Sequence, residues 1–160
     1  MTDLGSAVVI TCSTRAATGV YPDRSGPIVV NALRGWGFEV GDAVVVADGP
    51  GVEAALRAAT SGEAVLVLTT GGTGLTPTDG TPEATGRVVD RLVPGIAEAM
   101  RAAGLHSGTP AAMLSRGICG VAGRTLVVNL PGSMGGVSSG LAVLEPVIAH
   151  ALLQIQGGDH

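Results

Sequence analysis

The 160-residue chain has no lysine; all nine of its basic residues are arginine. A Walker A phosphate loop, a Schiff-base cofactor enzyme and a transferase that adenylates its own lysine all need that amine, so all three are excluded. Aromatic residues are nearly as scarce, with only Tyr21, Trp36 and Phe38, and the net charge is −4. Nucleic acid calls for a basic surface and stacking platforms, so it is not an expected partner. No unbroken apolar run approaches the ~18–20 residues of a membrane span. The opening Met1-Thr-Asp-Leu-Gly-Ser6 carries an acid and no basic segment. Neither a membrane segment nor a secretory leader is expected, which points to the cytoplasm. Cys12 and Cys119 lie in aliphatic runs without CxxC spacing and read as buried free thiols of a reducing compartment. His106, His150 and His160 have no metal-ligand spacing.

What the chain does have is aliphatic residues: 46% of it is apolar and only 14% charged. Its length suits one domain over residues 1–160, and no repeat or linker interrupts it. Apolar runs alternate with helical patterns. Strands are predicted at Ala7–Cys12, Val44–Ala47 and Ala64–Leu68, and helices at Ser25–Leu33, ended by Gly35 and Gly37, and at Val52–Ala59. Thr81-Pro82-Glu83 supplies an N-cap, a first-turn proline and an acid for a helix running to about Leu92. Pro94–Ala103 is a further helix, and a short one runs from Thr109-Pro110 to Ser115. Ile118–Ala122 and Thr125–Val128 form a hairpin, and the tail from Val137 to Gln154 is a helix kinked before Pro146. The order implies a three-layer α/β/α domain with a mostly parallel central sheet plus an antiparallel β-hairpin.

In such sheets ligands bind beyond the carboxyl ends of the strands. The loops leaving those ends are 13–23, 48–51, 71–79 and 130–136, and they hold most of the polar and glycine-rich chemistry. Gly71-Gly72-Thr73-Gly74 follows a buried strand, where glycines let backbone N–H groups approach an anion. Asp79 follows that loop, and a carboxylate beside a phosphate cradle suits Mg²⁺. Asp48 is either an ordinary Asp-Gly turn residue or a second carboxylate. Asn129 and Ser133 either bind a ligand or satisfy a turn and cap the last helix. Arg116, after Ser115, is either a solvated side chain or a phosphate clamp. Gly136-Val-Ser-Ser-Gly140 matches GxSxG but lies within a helical pattern, where a nucleophile elbow cannot form.

Taken together, Thr70–Gly74 with Thr76–Asp79, Thr81-Pro82-Glu83, Pro94-Gly95 with Glu98-Ala-Met100, Leu114-Ser-Arg116 and Asn129–Ser133 resemble the Mog/MoaB proteins of molybdenum cofactor biosynthesis, in the same order. Ser13-Thr-Arg15, Gly19-Val-Tyr21 and residues 23–27 resemble that family's first loop and helix, so the likeness spans nearly the whole chain. The resemblance implies a molybdopterin adenylyltransferase that uses ATP and Mg²⁺ and assembles as a cytoplasmic homotrimer. The alternative is a pterin-binding relative without turnover. An unrelated α/β nucleotide- or phosphate-binding domain is a third reading. By the resemblance, Asp48 and Asp79 are the functional aspartates, with Asp79 holding the metal. Gly71, Gly72, Thr73 and Gly74, with Pro131, Gly132 and Ser133, form the nucleotide-side loops. Ser13, Arg15, Ser115 and Arg116 line the substrate side. The chain departs from the family pattern at Thr14, Thr78 and Met134-Gly135, where many members carry an acid, a basic residue and Pro-Lys.

Overall fold

The computed structural model describes residues 2–159, so Met1 and His160 lie outside the described residues. Seven strands form one sheet: β1 (Ser6–Cys12), β2 (Glu39–Val40), β3 (Val44–Val46), β4 (Leu66–Thr70), β5 (Arg91–Leu92), β6 (Cys119–Ala122) and β7 (Thr125–Leu130). Their order is β2-β1-β4-β7-β6-β5, and β3 continues along the edge of β1 beyond β2. β1, β2, β3, β4 and β7 are mutually parallel, while β5, β6 and β7 pair antiparallel. The helices are α1 (Thr14–Ala17), α2 (Ser25–Trp36), α3 (Pro50–Thr60), α4 (Thr81–Val88), α5 (Pro94–His106) and α6 (Met134–Ile155), and Pro110–Leu114 makes a 3₁₀ turn.

Alternation along the strands builds two cores. Val9, Leu66, Leu68, Leu126 and Val128 face Val29, Leu33, Leu141, Leu144 and Ile148 of α2 and α6, with α5 packed alongside. Ile10, Val67 and Val127 face Val52, Leu56 and Ala84 of α3 and α4. This is the expected three-layer α/β/α domain with its hairpin. The strand order turns about β1, with β3 on one side and β4 on the other. A crevice therefore opens at the carboxyl ends of β1, β3 and β4.

Several boundaries differ from the expectation for physical reasons. Gly35 lies inside α2, and only Gly37, at φ 102°, ends it. β4 is shifted two residues along, to Leu66–Thr70. Gly80, not Thr81, caps α4, which stops at Val88 because the chain turns out to pair Arg91 and Leu92 with β6. α6 runs unbroken through Pro146. Its apolar content and 22 residues would also satisfy the length of a membrane span. Here its stripe of Val137, Gly140, Leu141, Leu144, Ile148 and Leu152 is buried against the sheet and α2. Leu144 is fully buried in that stripe. Leu144→Ala is expected to lower unfolding stability by about 2–5 kcal/mol, measured by urea denaturation.

Candidate functional site

A cleft of about 760 Å³ opens over the carboxyl ends of β1, β3 and β4. It is lined by parts of all four loops singled out in the sequence: Ser13, Thr14 and Arg15; Asp48; Gly71, Gly72 and Asp79; and Gly132 and Ser133. β4 delivers the chain here through two fully buried threonines. The Thr70 hydroxyl pairs with Ser25 at 2.8 Å, and that of Thr69 accepts from Asn129 at 3.0 Å. Gly71 and Gly72 then turn the chain at φ 84° and 67°. A Cβ on Gly71 would strike the Cys12 carbonyl, and one on Gly72 would strike the Thr81 hydroxyl.

Asp48 is anchored by one oxygen only. Its Oδ2 accepts from the Thr14 N–H at 3.2 Å and the Thr14 hydroxyl at 3.0 Å, and that hydroxyl accepts in turn from the Asp48 N–H at 3.1 Å. Thr14 is one of the positions that depart from the family pattern, and its work here is to hold Asp48. Asp79 is arranged the same way: its Oδ2 accepts from the Thr76 N–H at 3.2 Å. A Cβ on Gly74 would come within 2.8 Å of that oxygen. Each aspartate thus keeps its Oδ1 uncommitted within the fold.

The residues present fit a hard cation. Two half-buried carboxylates each offer an oxygen, and among the described residues the Thr81 hydroxyl, buried between Gly72 and the Cys12 thiol, has no oxygen or nitrogen partner. Softer ligands do not compete. Burial pushes the Cys12 thiol up to about 11; the neighbouring Thr81 hydroxyl pulls the other way, and the Asp48 charge adds to the rise. Among the described residues, no histidine lines the cleft. An all-oxygen donor set of this kind suits Mg²⁺.

Other expected residues have different work. Ser13 and Ser133 line the cleft, and each caps a helix, accepting from Ala16 N–H at 3.2 Å and Gly136 N–H at 3.1 Å. Asn129 is 4% exposed. Its amide donates to Thr69 and Thr85 and its carbonyl accepts from Ile118, so every polar atom serves the fold. Arg116 lies outside the cleft, its guanidinium turned onto backbone carbonyls and Glu83. Arg15 does line the cleft, and among the described residues its guanidinium makes no hydrogen bond or ion pair. Ser115 and Pro131 belong to a smaller cavity of about 150 Å³, bounded also by Met100, Arg101 and Ser139 and meeting the cleft at Ser133.

Tyr21, Asp23, Arg24 and Ser25 also line the cleft; the sequence placed them in the first loop and helix start without assigning them to the site. Asp23 accepts from the Thr11 hydroxyl at 2.8 Å and the Gly26 N–H at 3.1 Å, which fixes the start of α2. An acid three residues before a helical N–H was the available signal. Arg24 is exposed and, among the described residues, its side chain makes no hydrogen bond or ion pair.

Comparison with known proteins bears on the whole arrangement. Residues 8–150 match the family described as "Probable molybdopterin binding domain". The chain is 51% identical to the molybdopterin biosynthesis Mog protein from Mycobacterium ulcerans. That structure superposes with a TM-score of 0.90 over 98% of this chain and 99% of the other. It is 44% identical over 155 residues to a molybdenum cofactor biosynthesis bifunctional protein from Synechococcus elongatus, covering 96% of this chain and 48% of that one. The chain therefore spans about half the length of that relative. It is also 34% identical over 153 residues to the molybdopterin adenylyltransferase of Helicobacter pylori, covering 93% of this chain and 86% of that one. Within the fold, Asn129→Ala is expected to cost at least about 2 kcal/mol, since two buried hydroxyls and a half-buried N–H lose a partner at about 1–3 kcal/mol each. Urea denaturation monitored by circular dichroism measures it.

Proposed function

The chain belongs to the molybdopterin-binding family of molybdenum cofactor biosynthesis, and from that membership we propose that it is a molybdopterin adenylyltransferase. One observation carries the reading: two aspartates, each with a free carboxylate oxygen, open on one cleft beside a glycine turn. The proposed reaction joins an oxygen of molybdopterin's terminal phosphate to the α-phosphorus of ATP. The bond from that phosphorus to the bridging oxygen breaks, and its electron pair leaves with pyrophosphate. Such a transfer needs positioning and charge neutralisation and no covalent nucleophile. Mg²⁺ would neutralise phosphate charge when bound.

The chain's own residues do the rest. Asp48 and Asp79 would hold the metal. The N-termini of α2 and α6 border the cleft at Ser25 and Ser133, and helix N-termini favour phosphate. Arg15 and Arg24, both unpaired among the described residues, would supply the cations missing at Thr78 and Met134-Gly135. The smaller cavity, apolar at Ala97, Met100 and Pro131 and polar at its serines, would take the pterin, with its phosphate directed through Ser133 toward the cleft.

The same reading places the protein in the cytoplasm as a homotrimer. Exposed Leu92, Met113, Leu114 and Leu153 give apolar surface for self-association, and the number three follows from the family resemblance. Light scattering at micromolar concentration should give three times the 15.7 kDa chain mass; a monomer contradicts it. Pyrophosphate release from Mg-ATP should require molybdopterin. Asp79→Asn should slow it by two to three orders of magnitude, about 3–4 kcal/mol of transition-state stabilisation, while the fold and pterin binding persist. Pterin binding without any pyrophosphate release would identify a binding relative instead.

A further inference from the structure

Arg116 was a candidate ligand clamp, yet the structure turns it inward. Its backbone N–H donates to the Thr73 carbonyl at 2.8 Å. Its Nε donates to the Gly74 carbonyl at 2.9 Å and its Nη2 to the Asp79 carbonyl at 2.9 Å. Its Nη1 pairs with Glu83 in the first turn of α4. That contact holds the Glu83 carboxyl below its ordinary range, so the pair is charged on both sides.

The remaining bonds of this loop are internal: Asp79 N–H to the Thr76 carbonyl, Thr76 N–H to the Asp79 carboxylate, and Thr76 with Thr78 through their hydroxyls. Among the described residues, every hydrogen bond leaving residues 73–79 for the rest of the fold goes to Arg116. Residues 75–78 are exposed, so packing adds little. One side chain therefore ties both ends of the loop, at Gly74 and Asp79, and anchors them to α4.

We propose that Arg116 is a positioning residue that holds the 73–79 loop and, through it, sets where the Asp79 carboxylate stands in the cleft. The proposal rests on the adenylyl-transfer reading for its consequence, metal-dependent nucleotide binding; the tie itself does not. A guanidinium suits the task because its planar fork reaches several acceptors at once, which a lysine ammonium at the end of a flexible stem cannot reproduce. A direct phosphate clamp would instead show itself as lost ligand affinity with the loop's exchange unchanged.

The test compares wild type, Arg116→Ala and Arg116→Lys as full-length, ligand-free protein and with ligands. In Arg116→Ala, amide exchange over residues 73–79 should quicken at least tenfold, with β1, β4 and β7 unchanged. The Mg²⁺ concentration for half-maximal ATP binding by calorimetry should rise at least tenfold, with molybdopterin affinity within twofold of wild type. Arg116→Lys keeps the charge and should move both readouts in the same direction; if the alanine variant does not fold, the lysine variant carries the test. Unchanged loop exchange overturns the proposal. So does lost molybdopterin affinity in Arg116→Ala that Arg116→Lys restores, since that marks a charge acting on the ligand. If wild type neither binds ATP nor releases pyrophosphate, the adenylyl-transfer reading fails, and loop exchange still decides the role of Arg116.

Discussion

The cleft depends on how β4 ends. This central strand is buried on both faces and flanked by β1 and β7, so its last two residues carry hydroxyls into a region without water. An unpaired buried hydroxyl is costly. Thr69 and Thr70 persist because Asn129 and Ser25 reach them from β7 and α2. Beyond Thr70 the Cys12 carbonyl and the Thr81 hydroxyl leave no room for a Cβ, and the chain can turn only through glycine. The polar lattice under the strand end and the glycine turn above it follow from one constraint, a buried strand stopping at a surface.

That constraint distributes the functional groups. The turn leads into a loop whose hydrogen bonds to the rest of the fold, among the described residues, run to Arg116, and the loop ends at Asp79. Asp48 comes from the loop after β3, fastened by Thr14 at the start of α1. Both carboxylates are held by one oxygen and leave the other available. Such half-commitment combines fixed position with free coordinating capacity, which would serve the metal-dependent transfer we propose.

Much of this was legible in the sequence because the signals were strong. The aliphatic runs of β1, β4 and β7 and the glycine, proline and aspartate positions between them fix the layers and the loops that border the cleft. What was not legible lacked a local signal. β2 and β5 are two-residue strands, too short for a periodic signal and fixed by pairing with β1 and β6. Thr81 carries the look of an N-cap, but Gly80 takes that place and Thr81 is buried instead. Gly35 resembles a stop signal, yet the buried stripe of α2 holds the helix through to Trp36. Asn129 and Arg116 have the chemistry of ligand-binding residues, and only their partners reveal that they serve the fold. The smaller cavity is assembled from α5, the 3₁₀ turn and α6, too far apart in sequence for spacing to announce it.

The central claim is that Asp48 and Asp79 together hold a metal-bound nucleotide at the end of β4. Anomalous diffraction from crystals of the protein with Mn²⁺ and a non-hydrolysable ATP analogue tests it directly. The account predicts a manganese peak bound by carboxylate oxygens of both Asp48 and Asp79, with the phosphates lying over Gly71 and Gly72. A metal and nucleotide bound elsewhere on the molecule, with both aspartates unligated, would contradict it.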